Sequence, residues 1–72
     1  MVELEFWDEQ GRATLARVPA RDQTAVPTTG DVVYIPDGNQ TGVYLHIRVN
    51  SRQFYYSQDG ELVTIRLLCG TL

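Results

Sequence analysis

Lysine is absent from these 72 residues, cysteine and histidine occur once each, and proline occurs three times. Each shortage excludes something. A single cysteine, Cys69, leaves no internal disulfide. With His46 the only histidine, there is no Cys/His cluster to hold a structural zinc, and no metal is expected. Without lysine, a phosphate-cradling loop that ends in Gly-Lys cannot be built. Apolar runs stay far below the roughly 20 residues of a membrane-spanning helix. The opening Met-Val-Glu-Leu-Glu-Phe-Trp-Asp lacks both the basic and the apolar region of a secretory leader. A lone thiol and no leader point to a reducing, cytoplasmic setting in a microbe or its virus.

Basic charge is also scarce. The net charge is −3, and all six basic residues are arginine. An acidic chain repels phosphate backbones on average, which makes nucleic acid the weaker class of partner. One domain covering residues 1–72 is all that the length allows. A domain of this size buries only roughly 60% of the surface its unfolded chain exposes. Lacking disulfide and metal, it must rely on tight packing or on self-association, and the second is the stronger expectation.

What is present is period-two patterning. Val2, Leu4 and Phe6 alternate with Glu3, Glu5 and Trp7, the mark of a strand with one buried face. Asp8-Glu9-Gln10-Gly11 is a turn signal, with Gly11 suited to a left-handed position. Residues 12–18 return as a second, weaker strand, and residues 19–30 read as a surface loop bounded by Pro19 and Pro27. Val32 to Ile35 form a third strand, stopped by Pro36. After the Asp37–Gly42 turn, Val43, Leu45, Ile47 and Val49 alternate with Tyr44, His46, Arg48 and Asn50. Asn50-Ser51-Arg52-Gln53 breaks the rhythm before Phe54-Tyr55-Tyr56, through either a bulge or a short turn. Beyond the Ser57–Gly60 hairpin signal, Val63, Ile65, Leu67 and Cys69 alternate with Leu62, Thr64, Arg66 and Leu68.

Five or six short strands at this spacing predict an all-β fold: a small SH3-like antiparallel barrel, with an oligonucleotide-binding (OB) type barrel as the alternative. The order of elements carries a family likeness. It runs from the Asp8-to-Gly11 turn through Pro27-x-x-Gly30-Asp31-x-Val33, Tyr44, Arg48 and Tyr55-Tyr56 to the Asp59-Gly60 turn and an alternating Val/Ile end. In this it resembles short uncharacterised bacterial and prophage-type proteins with small SH3-like barrels. It departs from the shorter members in its long 19-to-29 loop and in the polar Ser51-Arg52-Gln53. The resemblance implies a fold and a setting; it implies no activity.

Catalysis needs a nucleophile with its base, paired carboxylates, or a metal. His46, with Asp31 or Asp37 to orient it, is the one conceivable base. Its place between Leu45 and Ile47 reads instead as an outward strand position. No charged residue flanks Cys69, which reads as a small buried apolar group. Neither an enzyme nor a cofactor is expected. Glu3, Glu5, Asp8 and Glu9 read as a solvated acidic face opposite arginines of a neighbouring strand. The most informative set is polar and aromatic: Trp7, Tyr44, His46, Arg48, Tyr55 and Arg66 point away from the main core, either as an exposed face or over a second small core under the long loop, and Tyr34 fits either face. Such residues are enriched at protein interfaces, and on barrels they also stack bases. The expected function is therefore a non-enzymatic interaction or assembly module, binding another protein or its own copy. Single-stranded nucleic acid is the alternative ligand.

Overall fold

The computed structural model describes residues 2–10, 13–21 and 25–71. They form five strands: β1 (Val2–Asp8), β2 (Thr14–Ala20), β3 (Val32–Pro36), β4 (Tyr44–Tyr56) and β5 (Leu62–Thr71). Their order in one sheet is β2-β1-β5-β4-β3, and the sheet curls strongly into a half-barrel of the small SH3 or OB kind. Among the described residues there is no helix, and so none long and apolar enough to cross a membrane.

The curl follows from the patterning. Leu4 and Phe6 of β1, Ile35 of β3, Ile47 and Val49 of β4, and Ile65, Leu67 and Cys69 of β5 are buried together as one core. Each strand gives alternate residues to that inner face, and the intervening ones form an outer face. Antiparallel ladders join β1 to β2, β4 to β5 and β3 to β4. The ladder between β1 and β5 is parallel, pairing Phe6 with Leu67 and Glu5 with Arg66. A hairpin-only sheet has no such pair. Here the first and last strands lie side by side within the sheet and run the same way.

Several strand boundaries shift from the sequence reading: β3 takes in Pro36 and β5 runs on to Thr71. The second strand runs to Ala20 rather than stopping at residue 18, so Pro19 lies inside it, opposite Glu3. An edge strand accommodates a residue that cannot donate a backbone hydrogen bond. The following loop is correspondingly shorter. The left-handed turn expected at Gly11 and the middle of that loop lie outside the described residues. The loop's far end is well tied down. Asp31 accepts from the backbone N–H and hydroxyl of Thr28 at 2.8 and 3.2 Å. Gly30, at φ 95°, turns the chain so that its N–H reaches the Val49 carbonyl at 2.8 Å. The Val49 N–H in turn donates to the Asp31 carbonyl at 2.9 Å.

The break at residues 50–53 is a bulge within one continuous thirteen-residue strand. The register shifts between Val49, opposite Cys69, and Ser51, opposite Leu68. Asn50 is the extra residue, and it reverses the parity of everything after it. Odd-numbered residues face inward before the bulge; Arg52 and Phe54, opposite the buried Leu67 and Ile65, share the inner face after it. The Asn50 side chain donates to Glu9 Oε2 at 2.5 Å, which ties the bulge to the turn after β1. Gly70 makes room for that bond, since a Cβ there would stand 3.0 Å from Asn50 Nδ2 and 3.3 Å from Glu9 Oε2.

Candidate interaction surface

On the outer face, parity and register divide the six candidate residues into two groups. The first lies over β1, β5 and the second half of β4. Trp7 and Glu5 stand two apart on β1, Arg66 is opposite Glu5 on β5, and Tyr55 is reached across β4. The Arg66 guanidinium carbon lies 4.4 Å from the Trp7 ring and 4.8 Å from the Tyr55 ring. Its Nη1 donates to the Tyr55 hydroxyl at 3.1 Å, and its Nε to Glu5 Oε1 at 3.4 Å. The same Glu5 oxygen accepts the Trp7 indole N–H at 3.0 Å, while Arg17 Nε stands 3.5 Å from the other oxygen. The Tyr55 hydroxyl in turn donates to Gln53 Oε1 at 3.1 Å.

Glu5 is thus the hub of a self-contained staple. The Trp7 hydrogen bond first, then Arg66 and Arg17, hold its carboxyl below the usual 4.5 against an opposing push from burial. The acidic stretch does meet arginines of neighbouring strands, as its pattern implied. Trp7 points away from the main core, on the outer face, where it is half-buried beneath Arg66. What identifies Glu5 as a hub is the parallel β1–β5 register, which strand alternation alone does not supply.

The second group lies over β3 and the first half of β4. Tyr34 is opposite His46 and Pro36 opposite Tyr44, and the Tyr34 and His46 rings meet edge to face at 4.5 Å. Tyr34, Tyr44 and His46 line an open, largely apolar basin of about 340 Å³. Tyr34 and Tyr44 are 62% and 55% exposed. Arg48 stands beside them, opposite Val32 and Gly70. Tyr34, which fitted either face by sequence, belongs to this outer one. The carboxylates that could orient His46 serve their own turns: Asp31 binds Thr28, and Asp37 accepts from the Asn39 N–H at 2.8 Å.

Cys69 lies on the inner face, and burial pushes its thiol pKa up to about 11. It borders a polar cavity of about 200 Å³ also lined by Asp8, Glu9 and Thr71. At pH 8 a thiol with that pKa is ionised about a hundredfold less than an ordinary one. Alkylation by iodoacetamide is expected to be at least about a hundredfold slower in the native chain than in the urea-unfolded chain. Equal rates in the two states would show that Cys69 is open to solvent. Among the described residues, no group of three or more His, Cys, Asp or Glu side chains is placed to hold a metal ion. Set against protein-family models, curated proteins and solved structures, the chain has no significant match in any of the three.

Proposed function

We propose that this chain is a non-enzymatic protein-interaction module that receives its partner on the Tyr34–Tyr44–His46 basin. The observation that carries this reading is the contrast between the two outer groups. Trp7, Arg66 and Tyr55 spend their rings, donors and charge on one another and on Glu5. Tyr34 and Tyr44 leave more than half of each side chain in water around an open apolar basin. Large tyrosines with a free hydroxyl are well suited to a partner that is part apolar and part polar. The setting that accompanies this reading is cytoplasmic and of the bacterial prophage type, supported by the likeness in turn and strand order.

A nucleic-acid role fits the arrangement of arginines poorly. A strand of phosphates needs cations along one face. Arg48 shares the outer face with Gly70, Arg52 shares the inner face with Leu67, and Arg66 is held by Glu5. The test is a tagged capture from native bacterial lysate, with and without nuclease, comparing the natural chain with a Tyr34→Ser/Tyr44→Ser variant. One defined protein is expected to survive nuclease and to be lost with the variant. Both positions are exposed, so the variant should keep its melting behaviour to within about 0.5 kcal/mol. Capture that vanishes with nuclease, or that the double substitution leaves intact, overturns the reading.

A further inference from the structure

β4 is longer than the strand beside it. On one side β5 accompanies it to Tyr56. On the other, β3 pairs only with residues 44–48, and the Gly30–Asp31 turn takes the N–H and C=O of Val49. Among the described residues nothing pairs with that side of β4 beyond Val49. Among the described residues, β4 therefore presents a bare edge over residues 52–56. An unpaired edge is a template for another strand, and natural proteins usually blunt it with proline, charge or brevity. The other two edges are guarded in this way. β2 carries Pro19 and Arg17, and β3 is five residues long and ends in Pro36. Residues 52–56, Arg-Gln-Phe-Tyr-Tyr, contain no proline, no glycine and a single charge. Their aromatic side chains remain in water, Phe54 at 44% and Tyr56 at 63% exposure.

We propose that two copies of this chain join edge to edge through residues 52–56 of β4, antiparallel about a two-fold axis, to form one continuous sheet across both molecules. A two-fold perpendicular to the sheet brings like faces together, so one residue must face its own copy. The bulge ends at Ser51 and the second register shift follows Tyr55, opposite Thr64, with Val63 of β5 as the extra residue. β4 is therefore regular from Arg52 to Tyr56, and Phe54 is the midpoint. In that register Arg52 faces Tyr56 of the second copy, and Gln53 faces Tyr55 of the second copy. The second pairing repeats a contact that the single chain already makes, and the first sets Arg52 against an aromatic ring, as Phe54 does within the chain. Arg52 lies 5.4 Å over the Phe54 ring, and Gln53 accepts from the Tyr55 hydroxyl at 3.1 Å. No like charges meet. The self-complementary segment selects a second copy of this chain over an unrelated strand, and the pairing does not involve the Tyr34–Tyr44–His46 basin.

Light scattering on the eluting full chain should give a mass that rises towards twice 8.1 kDa, with a Kd of about 1–100 μM. Tyr56→Lys puts a cation opposite Arg52 of the second copy and is expected to weaken association at least about tenfold. Arg52→Glu combined with Tyr56→Lys restores opposite charges and should recover the dimer, which a loss of folding would not allow. In the proposed register Phe54→Cys should form a covalent dimer under mild oxidation, because facing Cα atoms lie within disulfide reach. Tyr44→Cys should not. A chain that stays monomeric at about 1 mM, a double variant that fails to recover, or cross-linking through Tyr44→Cys in place of Phe54→Cys each overturns the proposal.

Discussion

Leu67→Ala is expected to cost about 3 kcal/mol of folding stability. Leu67 has no exposed surface and sits on the central strand β5, opposite Phe6 on one side and Arg52 on the other. Truncation there loses the transfer energy of the removed carbons and leaves a cavity that neighbours on both strands cannot fill. A domain of this size has about 4–11 kcal/mol of stability in all. The loss should lower the melting temperature by about 12–24 °C. Val32→Ala, at a position 43% exposed, should change stability by no more than about 0.5 kcal/mol. Thermal unfolding followed by far-ultraviolet circular dichroism checks both. A loss below about 1 kcal/mol for Leu67→Ala would mean that the half-barrel core is loose enough to collapse around the gap.

The inner face was legible because burial imposes period two wherever a strand has one dry side. Ile65, Leu67 and Cys69 needed nothing beyond alternation to be placed, and neither did Leu4 and Phe6. Ladder direction was not legible. Alternation is identical in parallel and antiparallel pairs, so the β1–β5 register, and with it the Glu5–Arg66 contact, had no local signal. Asn50-Ser51-Arg52-Gln53 announced a break but not its kind, because a polar run fits a bulge and a turn equally well. The bulge decides which face Arg52 and Phe54 occupy, and so it separates Arg52 from Arg48. Pro19 misled for a related reason. The missing N–H is disqualifying in a central strand and harmless at an edge, and edge or centre is settled only by the assembled sheet. The candidate surface was legible as a composition, Trp, Tyr, His and Arg on alternate positions, but its division into a satisfied staple and an open basin depends on strand order.

Arg66→Ala is expected to cost about 2 kcal/mol, from two cation–π contacts and a partly covered ion pair. The guanidinium is held between the Trp7 and Tyr55 rings while its edge serves Glu5 and the Tyr55 hydroxyl. Lysine cannot reproduce a planar, two-faced contact of that kind, so Arg66→Lys should recover only a minor part. Trp7 is the single tryptophan and reports on the staple directly. Its emission should shift to longer wavelength in Arg66→Ala, as the ring gains water, before any unfolding. The same staple gives the protein an acid sensitivity whose sign is set by Glu5. Its folded pKa lies below the ordinary 4.5, so the folded state favours the ionised carboxylate. That contribution is complete above pH 4.5 and is lost as pH falls through the lower folded value. The natural chain should therefore lose stability on acidification below the ordinary 4.5. Glu5→Gln, which keeps an oxygen to accept from Trp7 but carries no charge, should flatten that dependence. Arg66→Ala should reduce it only in part, because the Trp7 hydrogen bond is the larger cause and survives. If the Glu5→Gln variant falls with pH as steeply as the natural chain, the acid sensitivity lies in other carboxylates and the staple is a packing device alone.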